Sequence, residues 1–291
     1  MPVQLRVMCV SLMMVSMAHI PDGNRESHRS KAELFDRFAR YYDGDYRDYV
    51  DDVDLILDLA SEAGDPILEL GCGTGRVMQP LVQEGYSVTG IDISPQLLSV
   101  ARTKLANRTS ADVQLVESDL TAFDLPNKGY RLAIFASNTL MHMTSSQEQT
   151  AALANVYRHL APGALLFIDL FNPDVARLVA VNNVMELADE WEWEERGAHV
   201  LKWSVRTVDF AEQLQDTLTI YEEIGDDGGV RRTPCPFVLR FLWRSEAELM
   251  LEKCGFEVEA VWGDYGAGPY DAASDRLLFL AKKPAEIHNL H

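Results

Sequence analysis

Apolar residues recur along this chain in two rhythms, and the points where one replaces the other outline a fold. Leu34, Phe35, Phe38, Tyr41 and Tyr42 fall at helical spacing, as do Tyr49, Val50, Val53, Leu55 and Ile56 within residues 46–60. Positions three and four apart share one face of a helix, so two helices are expected before the first strand. Short apolar runs at 66–70, 87–91, 113–116, 130–136 and 164–170 then alternate with helical patterns at 76–83, 95–106 and 146–160. Ser94 stands where an N-cap belongs, and Pro162-Gly163 stands where the 146–160 helix should stop. Alternation at this pitch predicts parallel strands joined by right-handed crossovers, an α/β doubly wound sheet.

From about residue 190 the period changes to two. Segments 191–195, 199–210, 213–223 and 230–243 read as consecutive β segments, with a turn at 225–229. An antiparallel patch is thus expected inside the α/β pattern, which resumes afterwards. Residues 245–254 read as a helix opened by a Ser245-Glu246-Ala247-Glu248 capping box and closed by Gly255. Strands at 256–262 and 276–282 end the pattern. The expected organisation is a leader at 1–29, a core formed by 30–174 and 244–284 with a helical lid at 30–60, and a β-rich insertion at 175–243.

Composition narrows the partners. The chain has 291 residues, 47% hydrophobic and 24% charged, enough to bury one large core. Its net charge of −19 repels phosphate backbones and anionic lipid, and the densest basic cluster is only Arg231-Arg232. Nucleic acid and membrane are therefore not expected as partners. Cys9, Cys72, Cys235 and Cys254 lie far apart without a Cys-x-x-Cys pair, which offers neither a zinc site nor a disulfide framework and suits a reducing cytoplasm. No metal is expected. Residues 7–20 follow Arg6 and resemble a secretory h-region, but Ser11 and Ser16 interrupt them and no small-x-small cleavage site follows. They read as a leader, too short to span a bilayer.

The segment Ile67-Leu68-Glu69-Leu70-Gly71-Cys72-Gly73-Thr74-Gly75-Arg76 carries the chemistry. Three glycines between a strand and a helix let a ligand lie against the main chain, and the helix N-terminus offers free N–H groups. A nicotinamide-binding loop wants Gly-x-Gly-x-x-Gly, yet its last position here is Arg76. Glu69 would repel a pyrophosphate but attract an ammonium group. A ligand with an amino acid at one end and a nucleoside at the other meets both conditions. Asp92, closing the second strand about 20 residues on, is placed to accept ribose hydroxyls. Asp119, after the third strand, is placed to receive an adenine amino hydrogen.

In these residues the chain resembles the class I S-adenosylmethionine-dependent methyltransferases, in particular those acting on small molecules. Glu69-Leu-Gly-Cys-Gly-Thr-Gly matches the family's cofactor loop, Gly90-Ile-Asp-Ile-Ser its ribose motif, and Ser118-Asp119 its adenine motif. The resemblance covers residues 32–170 and the closing helix and strands. It implies a Rossmann-like seven-stranded sheet and S-adenosylmethionine as cofactor, with S-adenosylhomocysteine as product. Glu69, Gly71, Cys72, Gly73 and Gly75 would hold the methionine end, Asp92 and Ile93 the ribose. Ser118, Asp119 and Leu120 would hold the adenine, and Ser137 is also expected to bind the cofactor.

Methyl transfer needs positioning first, and a base only if the acceptor arrives with a proton to lose. His142, in Ser137-Asn138-Thr139-Leu140-Met141-His142 after the fourth strand, is the candidate base, and Asn138 a candidate acceptor ligand. Tyr41 and Tyr42, in a stretch resembling the family's lid helix, are candidates to close the site. Arg240, among the apolar neighbours of Phe-Val-Leu-Arg-Phe, could pair with an acceptor carboxylate or phosphate, or with a nearby acid. The expected activity is methyl transfer to an N or O atom of a small molecule. A nicotinamide oxidoreductase and a non-catalytic S-adenosylmethionine-binding module are the alternatives. The insertion could also carry a homodimer contact, since exposed β edges invite pairing.

Overall fold

The structure, a computed structural model, describes residues 26–106 and 112–285, with side chains from residue 31. Residues 1–25 of the expected leader, with Cys9, lie outside the described residues, while 26–29, expected in the leader, belong to the first helix. Helix α1 (Glu26–Asp36) opens the fold, followed by turns, the short α2 (Tyr42–Asp45) and α3 (Val53–Ala63). Then come β1 (Ile67–Leu70), α4 (Met78–Gln83), β2 (Val88–Asp92), α5 (Pro95–Leu105), β3 (Val113–Glu117) and β4 (Tyr130–Phe135). A 3-10 turn (Thr139–His142) leads into α6 (Ser146–His159), β5 (Leu160–Phe171) and α7 (Val175–Val181).

The inserted strands are β6 (Met185–Trp193), β7 (Ala198–Asp209), β8 (Leu214–Gly225) and β9 (Val230–Arg240). The chain closes with α8 (Arg244–Lys253), β10 (Glu257–Trp262) and β11 (Arg276–Lys282). The main sheet has seven strands in the order β10-β11-β5-β4-β1-β2-β3, parallel except for β11, which runs antiparallel to both its neighbours. Because β1 pairs with β2 on one side and β4 on the other, the strand order reverses beside its carboxyl end. That crevice is where open α/β sheets bind ligands. Strands covered on both faces read as continuous apolar runs. Ile67, Leu68 and Leu70 of β1 obey this, and Glu69 between them is equally buried.

The second sheet is antiparallel, β6-β7-β8-β9, and it packs against the lid on one side and, through Leu239, Val208 and Phe237, against the main core. Tyr41 of the lid is buried with Trp191, Val200, Tyr221 and Cys235 of the sheet. Among the described residues no helix is long and apolar enough to cross a membrane.

Several local readings need correction. The lid is not two long helices: α1 ends at Asp36, and residues 46–52 are turns. The 146–160 helix does stop ahead of Pro162-Gly163, at His159, but β5 starts earlier than expected, at Leu160, and contains both residues. Helix α7 was not foreseen, being only seven residues capped by Asp174. Ser245 is no N-cap, since α8 starts at Arg244 and its cap position is Trp243, with no side-chain bond to the helix. Ser94 does cap: its Oγ accepts from Leu97 N at 3.1 Å and donates to Asp36 Oδ1, tying α1 to α5. Ser94→Ala should therefore lower stability by about 1 kcal/mol or somewhat more. Ser245→Ala should be neutral or slightly stabilising, as Ala is the better helix former. Chemical denaturation of both variants checks this, and equal losses would contradict the assignment of the caps.

Candidate functional site

The switch-point crevice is a cavity enclosing about 1010 Å³, part of it open to solvent. Glu69, Gly71, Cys72, Gly73, Asp92, Ile93, Asp119, Leu120 and Ser137 all line it. Gly71 and Gly73 have φ values of 70° and 54°, which only glycine adopts freely. A Cβ on Gly71 would lie 2.4 Å from Thr139 Cγ2, so the loop and the chain after β4 touch through the missing side chain. Gly75 and Ser118 do not line the cavity. Gly75 instead lets α5 approach, with Ala101 and Leu105 within 3.5 Å of where its Cβ would stand. Ser118 gives its N–H to the Asp92 carbonyl.

Asp92 is held by the loop it faces, with Oδ2 accepting from Gly73 N and Oδ1 from Ser94 N, both at 2.8 Å. Burial pushes its pKa up, opposed by those N–H groups. Each oxygen keeps a lone pair for a ligand hydroxyl. Asp119 Oδ1 closes its own turn by accepting from Thr121 N and Oγ.

Glu69 is more exposed to strain than any other acid of the site. Burial raises its pKa to about 8, with Asp52 and Asp92 adding to the rise and Arg76 opposing it. Its Oε2 is buried without a hydrogen-bond partner. Arg76 stands close by, in the position that disqualifies a dehydrogenase loop. Its two terminal nitrogens hold Asp52 at 2.8 and 2.6 Å, and one also reaches Ser137 Oγ at 3.0 Å. Its Nε is buried with no partner. The rings of Tyr46 and Tyr49 lie 5.5 and 5.0 Å from its guanidinium carbon. One orphaned acid and one orphaned donor thus belong to residues that line the same cavity.

Tyr42 lines the cavity, and its ring carbons come within 4 Å of where a Gly73 Cβ would stand. It stacks on Tyr46 at 4.6 Å, one helical turn on. Tyr41 does not join it. Adjacent residues on a helical turn face different ways, and Tyr41 turns outward to stack on Tyr221 and donate to Glu223. It has no part in lining the cavity.

His142 also lines the cavity, against Phe35 at 5.1 Å and Phe237 at 5.6 Å. Burial lowers its pKa to about 4, and Nδ1 has no partner. Asn138 and Arg240 lie elsewhere. Asn138, at φ 65°, accepts from Phe171 N at 2.6 Å and so braces two strand ends. Arg240 is buried against Gln149 and Glu246, each at 2.7 Å, the pairing with an acid that its surroundings allowed. Neither is available to an acceptor.

Sequence reasoning overlooked Arg76, Asp52 and Tyr46. Arg76 was legible as a charged residue directly after the third loop glycine. Tyr46 carried a weaker signal, its spacing of four from Tyr42. Asp52 had none, because its partner arrives from 24 residues away.

Residues 67–163 match the family model described as a methyltransferase domain. Putative methyltransferase YqeM of Bacillus subtilis is 23% identical over 239 residues, covering 76% of this chain and 85% of that protein. Cypemycin N-terminal methyltransferase of a Streptomyces species is 28% identical over 236 residues, covering 76% of this chain and 84% of that protein. Among solved structures, the CcbJ methyltransferase of Streptomyces caelestis aligns with a TM-score of 0.72 at 25% identity, over 87% of this chain and 98% of that one. The fold is also that of the sugar N-methyltransferase KedS8 from a Streptoalloteichus species, with a TM-score of 0.67 at 20% identity, over 85% and 92%. Residues 67–163 thus form a methyltransferase domain, and the relatives and solved structures that resemble the chain are S-adenosylmethionine-dependent methyltransferases. The oxidoreductase and the non-catalytic module fall away together.

The neutral state of His142 is directly measurable. Its imidazole resonances in NMR should show no protonation between pH 8 and about pH 5, titrating near pH 4. A midpoint near the usual 6.5 would contradict the burial of the ring.

Proposed function

We propose that this enzyme methylates an N or O atom of a small molecule, nitrogen being favoured, and releases S-adenosylhomocysteine. Glu69 Oε2 and Arg76 Nε carry the reading: a buried acid and a buried donor, both unpartnered, fit the ammonium and carboxylate of an amino acid. A buried polar group left unpaired costs about 1–3 kcal/mol, which a ligand supplying both partners would recover. Asp92 would take the ribose hydroxyls on its remaining lone pairs, and Asp119 with Leu120 the adenine. Bound there, S-adenosylmethionine supplies a methyl group already activated by its sulfonium charge.

The chain's own contribution is to orient the acceptor and keep water out. Tyr42 and Tyr46 roof the loop, while Phe35 and His142 line the cavity beside it, with Phe237 packed against the His142 ring. A neutral imidazole accepts a hydrogen bond from the attacking group and aims its lone pair, but with so low a pKa it is a poor store for a proton. That favours an amine arriving uncharged over a hydroxyl that must be ionised. A relative named for N-terminal methylation agrees with nitrogen. The lid would span roughly residues 30–60, and the insertion at 175–243 would shape the acceptor side through Phe237.

Proton counting tests the Glu69 assignment. Below pH 8 the empty site holds Glu69 protonated, and an incoming ammonium favours its carboxylate, so binding must release a proton. Titration calorimetry with S-adenosylmethionine near pH 7, in buffers of different ionisation enthalpy, should report close to one proton released, about 0.9 by the pKa arithmetic. Glu69→Gln should abolish the release. Binding with no release, or the same release in the variant, would refute the assignment.

A further inference from the structure

The stretch from Arg40 to Arg47 has two faces, and only one of them meets the cofactor loop. Tyr42, Asp43 and Tyr46 turn toward it. Asp43 Oδ1 accepts from Thr74 Oγ at 2.7 Å and from Lys104 Nζ at 2.6 Å, while Tyr42 and Tyr46 line the cavity. The other face is gripped by the inserted sheet. Arg40 pairs with Glu223 of β8, and Arg47 with Asp189 of β6. Lys202 of β7 donates to both oxygens of Asp45, at 2.6 and 2.8 Å, and Tyr221 of β8 donates to the same carboxylate at 2.9 Å. Gly44 fits because it has no side chain, for a Cβ there would lie 2.9 Å from Trp191 Nε1.

These contacts differ in weight. Arg47 and Asp189 are each about a third exposed, and such pairs add little. Asp45 and Lys202 have side chains only 11% and 24% exposed, and the carboxylate has a second donor in Tyr221. Removing Lys202 would leave a largely buried anion half-satisfied, so the turn would have to move. Neither Asp45 nor Lys202 lines the cavity.

We propose that Lys202, acting through Asp45 and seconded by Tyr221, is a positioning residue that sets Tyr42 over the methionine end of the cofactor. The inserted sheet is then part of the cofactor site as well as a neighbour of the acceptor. This rests on the reading that S-adenosylmethionine lies with its methionine portion under Tyr42. Its signature is selective: affinity for a ligand carrying the methionine portion falls, while affinity for adenosine, which would meet only Asp92 and Asp119, does not.

Calorimetric titration of the full chain with S-adenosylmethionine and with adenosine separates the possibilities. Lys202→Met should weaken S-adenosylmethionine binding about tenfold, an ordinary size for coupling between two sites, and leave adenosine within about twofold. Lys202→Arg, which keeps the charge, should restore binding to near wild type. Tyr221→Phe, a milder change should Lys202→Met fail to fold, should show the same selectivity with a smaller loss. Arg232→Ala, which removes an exposed pair with Glu222 on the same sheet, should change neither affinity. Unchanged S-adenosylmethionine binding in folded Lys202→Met and Tyr221→Phe, or equal losses for both ligands, would overturn the proposal. Wild-type protein that binds adenosine but not S-adenosylmethionine would instead overturn the reading of the cavity itself.

Discussion

A carboxyl group in the middle of a buried strand is the constraint around which this structure is arranged. Glu69 sits in the central strand β1 with its neighbours sealed on both faces, where an ionised acid is costly unless a positive group answers it. Arg76 answers only in part, because both of its terminal nitrogens are committed to Asp52 and Ser137. The result is a site with charge of both signs and one unmet valence of each. Such a site is poorly matched to water and well matched to a zwitterion. The lid follows from the same need. Tyr42, Tyr46 and Tyr49 cover the loop and shield the cluster, and Asp52 at the start of α3 brings the counter-charge Arg76 requires.

The lid in turn depends on what lies behind it. Asp36 fastens its first helix to α5 through Ser94, and Lys31 reaches Glu148 of α6 at 2.8 Å. The turns that follow α1 are held to the core through Asp43, through Tyr49, whose hydroxyl meets that of Tyr265, and through the pairing of Asp52 with Arg76. Their outer side is held by the small sheet, whose own apolar cluster is completed by Tyr41. The antiparallel insertion thus supports the lid from behind, while Phe237 brings the same sheet against His142, a residue that lines the cavity.

Most of the main sheet was legible from the sequence because buried parallel strands and amphipathic crossovers leave strong periodic signals. The glycine loop with Glu69, and Asp92 and Asp119 on successive strands, was legible for another reason. Those residues break the apolar pattern at or just beyond the carboxyl ends of the strands, where they stand out against it. The lid was misread because aromatic residues at helical spacing fit a helix and a series of turns equally well. Tyr41 and Tyr42 could not be told apart from sequence, since one bond of chain rotation decides which meets the cavity. Arg240 and Asn138 are buried polar groups whose partners, Gln149, Glu246 and Phe171, come from distant segments. Their structural roles emerge only once the strands are side by side. The Ser245 capping box failed because α8 begins one residue earlier, at Arg244, leaving the serine inside the helix.

The most direct measurement is a crystal structure of the enzyme with S-adenosylhomocysteine bound. We expect its amino group within hydrogen-bonding distance of Glu69 and its carboxylate at Arg76, this methionine portion lying beneath Tyr42, with both ribose hydroxyls on Asp92 and the adenine beside Asp119 and Leu120. The ligand lying in the reverse sense, or outside the crevice beside β1, would contradict the assignment of the buried acid and of everything built around it.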